Sequence, residues 1–100
     1  MSKFEDKRVI LQKRVESINN IRKSQNNPNY DHVRMEAAVG LLDKLNAVSK
    51  VGGSEDELES EWRDLLDWYY YMAEDPDMDE VVKNRATAVA RSIHLMITTI

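Results

Sequence analysis

The chain has 100 residues, with 14 Lys plus Arg, 18 Asp plus Glu and a formal net charge of −4. That length suits one domain and excludes a two-domain enzyme, and 42% hydrophobic with 32% charged residues describes a folded chain rather than a disordered one. With no cysteine and two histidines, a disulfide framework, Cys-ligated zinc, a thiol nucleophile and a histidine-rich metal site are all excluded.

The loop signals are few and clustered. Pro28 lies in QNNPN, Gly52 and Gly53 in VGGS, and Pro76 in EDPDMD, and these cut the chain into four segments. The spacing predicts four helices, at about 3–25, 28–50, 55–74 and 78–98. The first has a thin apolar stripe, Phe4, Leu11, Val15 and Ile18, with Ser2 and Glu5 at capping-box spacing. Asn27 and Pro28 read as the cap and first position of the second helix, whose stripe is Ala38, Leu41, Leu42, Leu45 and Val48. Gly40 is the one glycine inside a helical pattern. The third opens on Ser54 with Glu57 and carries Leu58, Trp62, Leu65, Leu66, Tyr69, Met72 and Ala73 on one face. The fourth opens on Asp77 with Glu80 and carries Val82, Ala86, Val89, Ile93, Met96, Ile97 and Ile100. No stretch alternates with period two for long. The expectation is one all-α domain over residues 1–100, a small antiparallel bundle with short loops.

The start, MSKFEDKR, has no apolar core and no run approaches membrane-span length, so a soluble, cytoplasmic protein is expected. Charge is uneven. Residues 1–25 carry seven bases and three acids, whereas residues 54–80 carry twelve acids and one base, Arg63. The simplest arrangement sets the basic first helix beside the acidic third; the other lets one of them dock on an oppositely charged partner. Nucleic-acid binding is disfavoured, because phosphate contact needs concentrated Lys and Arg.

Five of the seven aromatics fall between positions 62 and 71. Trp62 and Tyr69 belong to the core face, but Glu57, Glu61, Asp64, Trp68 and Tyr71 share one flank of the third helix. A fourth helix covering that flank would make it ordinary core edge. Left open, it is a partner surface, since Trp and Tyr at a protein surface are enriched in interfaces. Leu95 points off the core face of the fourth helix, and Val9 and Ile10 lie off the stripe of the first. Together they suggest more apolar surface than 100 residues bury alone, which a homodimer would cover.

The stretch EWRDLLDWYYYMAE followed by DMDEVVKN resembles the second half of the MazG-type nucleotide pyrophosphohydrolases, whose all-α fold the phosphoribosyl-ATP pyrophosphohydrolases share. The resemblance covers about residues 30–90. It implies Mg²⁺-dependent hydrolysis of nucleoside triphosphates to monophosphate and pyrophosphate. The matching positions are Glu61, Asp64, Glu80 and Asn84, with Glu61 and Asp64 as metal ligands. The family's Glu-x-x-Glu on the preceding helix is replaced by EAAVGLLD, in which Glu36 and Asp43 are seven apart and face away from the leucines. Two acids in place of four leave the metal and the triphosphate charge undersupplied.

Other candidates are modest. His94 lies off the core face without a carboxylate at matching spacing, and His32 falls in the first turn of the second helix beside Tyr30 and Asp31. Arg34 lies on the line of Ala38, Leu41 and Leu45, so it is expected near the core, paired with the acidic third helix or contacting an anion or partner. No phosphate loop, catalytic triad or zinc spacing occurs. The primary expectation is a non-enzymatic protein-binding module, an adaptor or inhibitor of the size and style of phage or mobile-element accessory proteins. It would need no cofactor and would use Glu57, Glu61, Asp64, Trp68 and Tyr71 against a basic partner surface. The alternatives are a MazG-like enzyme using Mg²⁺ and a self-assembling structural protein.

Overall fold

The structure is a computed structural model that describes residues 3–100. Its elements are α1 (Lys3–Ser24), α2 (His32–Lys50), α3 (Glu55–Glu74) and α4 (Glu80–Thr99), with no strand among the described residues. Consecutive helices are joined by short turns and pack as an all-α bundle, as the periodicity predicts. The Ser2 half of the first capping box lies outside the described residues.

The second helix starts at His32, four residues beyond the Pro28 expected from sequence. Between the two helices the chain first closes α1 and then makes a turn. Asn26 takes a left-handed conformation (φ 51°), Asn26 N donates to Lys23 O at 3.2 Å, and Asn27 N donates to Arg22 O at 2.9 Å. This is a Schellman closure with Asn where Gly is usual. Asn27 thus gives its backbone N–H to the closure of α1. Its side chain accepts from Asn29 N at 3.2 Å inside the turn. The cap of α2 is Asp31, also left-handed (φ 50°), whose carboxylate accepts from Arg34 N at 3.2 Å. Arg22 Nε donates to Tyr30 O at 2.9 Å and ties this turn to α1.

The second turn repeats the device with glycine. Gly52 has φ 69°, Gly53 N donates to Val48 O at 2.9 Å, and Ser54 caps α3 by accepting from Glu57 N at 3.2 Å. The third turn departs from expectation. Asp77 N donates to Asp75 Oδ1, and Asp79 is the cap of α4, accepting from Val81 N at 2.8 Å. Asp77 with Glu80 thus forms no capping box, and α4 begins at Glu80 rather than about 78.

Helix α2 touches all three other helices, α3 and α4 form an intimate hairpin, and α1 lies mainly against α2. The core gathers Leu11 from α1, Leu41, Leu45 and Val48 from α2, Leu58 and Trp62 from α3, and Val89, Ile93 and Met96 from α4. Trp62 is 2% exposed, and its Nε1 donates to Leu41 O at 3.0 Å, so its one polar atom is satisfied inside. Gly40 sits where α3 comes closest. A Cβ there would lie 3.1 Å from Leu65 Cδ2, a tight contact with the end of a flexible side chain. Val82, expected in the core stripe, is exposed at the start of α4.

The basic first helix does not run along the acidic third, because its main neighbour is α2. Two of its cations reach neighbouring helices. Arg8 Nε donates to Asn46 Oδ1 at 3.0 Å, and Lys7 Nζ stands 5.3 Å from the centroid of the Trp62 ring.

Candidate functional site

The candidate flank is built on one continuous helix, so its geometry follows from helical spacing alone. All five expected residues occur on α3, yet the two ends of the flank have different surroundings. Glu57 lies in the first turn, where a negative charge suits the dipole, and its carboxylate folds back over Gly53. Glu61 is half-buried, with Oε2 3.7 Å from Lys44 Nζ on α2. These two acids border a shallow groove between α2 and α3 lined by Ala47, Val48, Val51 and Ser60. Asp64 is exposed. Trp68 is 61% exposed and Tyr71 is 70% exposed, so no neighbouring helix covers the aromatic end. Val9, Ile10 and Leu95, placed off their core faces by spacing, are exposed as well.

The structure adds a second feature that sequence reasoning missed. Glu36, expected to face away from the bundle, sits at the α2–α3–α4 junction. Tyr69 Oη donates to Glu36 Oε2 at 2.6 Å, and Arg85 Nη2 donates to Glu36 Oε1. Burial raises the Tyr69 phenol to about 12, and the hydrogen bond to Glu36 and that carboxylate's charge push in the same direction, while Arg85 opposes them. This trio borders a groove of about 360 Å³ whose apolar walls are Met72, Val81, Val82 and Ala86. The available signal was Gly40. Glu36 lies one turn before it on the same flank of α2, and a helical glycine marks close approach of a neighbour.

Arg34 corrects a further expectation. It is exposed and pairs with its own cap, Asp31, at 3.5 Å, instead of reaching α3. His32 and His94 are exposed; His94 borders a groove with Glu59, Arg63 and Ile97 between α3 and α4.

Of the positions implied by the pyrophosphohydrolase resemblance, Glu61 is engaged by Lys44, Glu80 lies 3.9 Å from Lys83, and Asp64 and Asn84 are exposed. Among the described residues, no three His, Cys, Asp or Glu side chains gather to hold a metal ion. This surface combines exposed aromatic area, a groove with apolar walls and several acidic side chains. No described helix is long and apolar enough to cross a membrane. Comparison with protein-family models, curated proteins and solved structures finds no match to this chain.

Proposed function

We propose that this chain is a small non-enzymatic protein-binding module, an adaptor or inhibitor. It engages a basic surface of another protein through Glu57, Glu61, Asp64, Trp68 and Tyr71 on α3. The observation that carries this reading is the solvent exposure of Trp68 and Tyr71, two large aromatics that a self-contained fold would cover. Trp68 is the apolar anchor. The acids steer a cationic partner and suppress anionic competitors, a role suited to rim charges in high dielectric.

The test is affinity capture from the source cell with wild type and Trp68→Ala side by side. A specific partner should be retained by wild type and lose over 1 kcal/mol of binding, the order expected for an interface anchor, in the variant. Equal retention refutes the flank. Melting with Mg²⁺ and a panel of nucleoside triphosphates is the control for the enzyme class. A ligand selective for the folded state raises stability by about 2.7 kcal/mol at a hundredfold excess over its dissociation constant. The proposal expects no shift, and a shift needing both metal and nucleotide would overturn it.

A further inference from the structure

We infer that the partner presents a basic amphipathic helix, and that this helix docks across the α3–α4 hairpin end, with its apolar side chains in the groove between Met72, Val81 and Val82. The inference rests on the protein-binding reading above and gives the partner a chemistry and a place.

The hairpin end gathers exposed apolar side chains. Of the exposed large hydrophobic residues, Trp68, Tyr70, Tyr71, Met78, Val81 and Val82 all fall within fifteen residues of chain. Val81 is 76% exposed although it is β-branched and stands in the first turn of a well-capped helix. Nothing in α4 requires an apolar group there. Met72 lies one turn beyond Trp68 on the same flank of α3, so the aromatic flank runs directly into the groove. The polar groups bordering that groove are paired with one another, because both oxygens of Glu36 accept, one from Tyr69 and one from Arg85. An entering side chain therefore meets no unpaired buried charge, and apolar groups suit the site.

Charge selects the occupant. Residues 64–82 carry seven acids and no Lys or Arg, and the one cation lining the groove, Arg85, is paired with Glu36. A second copy docked by a two-fold axis would set those acids against one another, and like charges in juxtaposition disfavour that pairing. A basic partner gains from the same field. Shape selects the secondary structure. No strand edge occurs among the described residues, so an extended peptide finds no ladder to join, whereas an apolar groove between helices takes another helix through side chains at i, i+3, i+4 and i+7.

The experiment uses the full chain and three synthetic peptides. One is an amphipathic Leu/Lys helix, one has the same composition scrambled so that no apolar face forms, and one replaces every Lys by Glu. Binding is followed by NMR of backbone amides, the Trp indoles and Val methyl groups. The Leu/Lys helix should shift Trp68, Val81 and Val82, and its affinity should fall at least tenfold in Val81→Asp and in Trp68→Ala. The other two peptides should bind at least tenfold more weakly. Val81 is exposed and donates only its backbone N–H to Asp79, so Val81→Asp leaves the fold intact, which an unchanged melting curve verifies. Dependence on Trp68 without dependence on Val81 would overturn the groove inference and leave the α3 reading standing. Independence from both would overturn both. Equal binding of the scrambled peptide would reduce the site to bulk charge and overturn the inference. So would a self-association that strengthens with salt and is lost in Val81→Asp, because a second copy would then be the occupant.

Discussion

Two tryptophans six residues apart on one helix should respond in opposite ways to substitution. Trp62 is 2% exposed, packs in the core of all four helices and donates to Leu41 O at 3.0 Å. Trp62→Ala removes the largest fully buried side chain and should cost about 3–5 kcal/mol. That is comparable to the whole stability of a small domain, so the variant is expected to be mostly unfolded. Trp62→Phe is the more informative change. It forfeits the indole hydrogen bond, worth about 1 kcal/mol net, and the outer ring atoms, worth about 1 kcal/mol more. The Leu41 carbonyl stays in the α2 ladder, so no acceptor is orphaned. The total, about 2 kcal/mol, should lower the urea midpoint by roughly 1–2 M for a slope of 1–2 kcal/mol per M. Trp68→Ala, at a 61% exposed position, should move stability by less than about 0.5 kcal/mol. Urea unfolding followed by far-ultraviolet circular dichroism measures all three. The reasoning is refuted if Trp68→Ala destabilises as much as Trp62→Phe, for then the aromatic end of α3 is core and no partner surface.

Gly40→Ala should raise the melting temperature slightly. The helix gains about 1 kcal/mol of propensity, and the new Cβ presses only on the tip of Leu65, 3.1 Å away, which can yield a few tenths of an ångström. Gly40→Leu should lower it, because a larger group cannot share that approach. The Tyr69 phenol, raised to about 12 mainly by burial and then by Glu36, binds its proton more tightly folded than unfolded. Its stabilising contribution is complete below the ordinary tyrosine value near 10 and is lost as pH rises toward 12. Glu36→Gln should bring the Tyr69 step in a tyrosinate absorbance titration down toward 10, and Tyr69→Phe should abolish it. Asp31→Ala should cost about 1–2 kcal/mol, because it removes the α2 cap and leaves alanine in a left-handed conformation; Asp31→Asn, which tolerates both demands, should be near neutral by thermal unfolding.

The apolar periodicity of the segments was enough to place four helices, since it depends only on residues three and four apart. The Ser54 cap and the outward direction of Leu95 followed from the same local geometry, whereas the exposure of Trp68 and Tyr71 depended on whether another helix covered their flank. The start of α2 did not. Asn27 before Pro28 satisfies the rules for opening a helix, and nothing local shows that the chain makes only a turn there and opens α2 at the Asp31 cap. Arg34 was misplaced for a related reason: its stripe position faces the core, but Asp31 at the helix start offers a nearer partner in water.

Sequence alone thus determined the helical class, the four apolar faces and the concentration of aromatic and acidic residues on α3. These are properties of short windows, in which the 3.6-residue repeat fixes which side chains share a face. Only the tertiary structure decided that α1 lies on α2 rather than beside α3, and that Val82 is outside the core. It also decided that Glu36 meets partners 33 and 49 positions away at the mouth of a groove. Those outcomes depend on which helix faces close together, a competition among burial, hydrogen bonding and chain connectivity that no single segment contains.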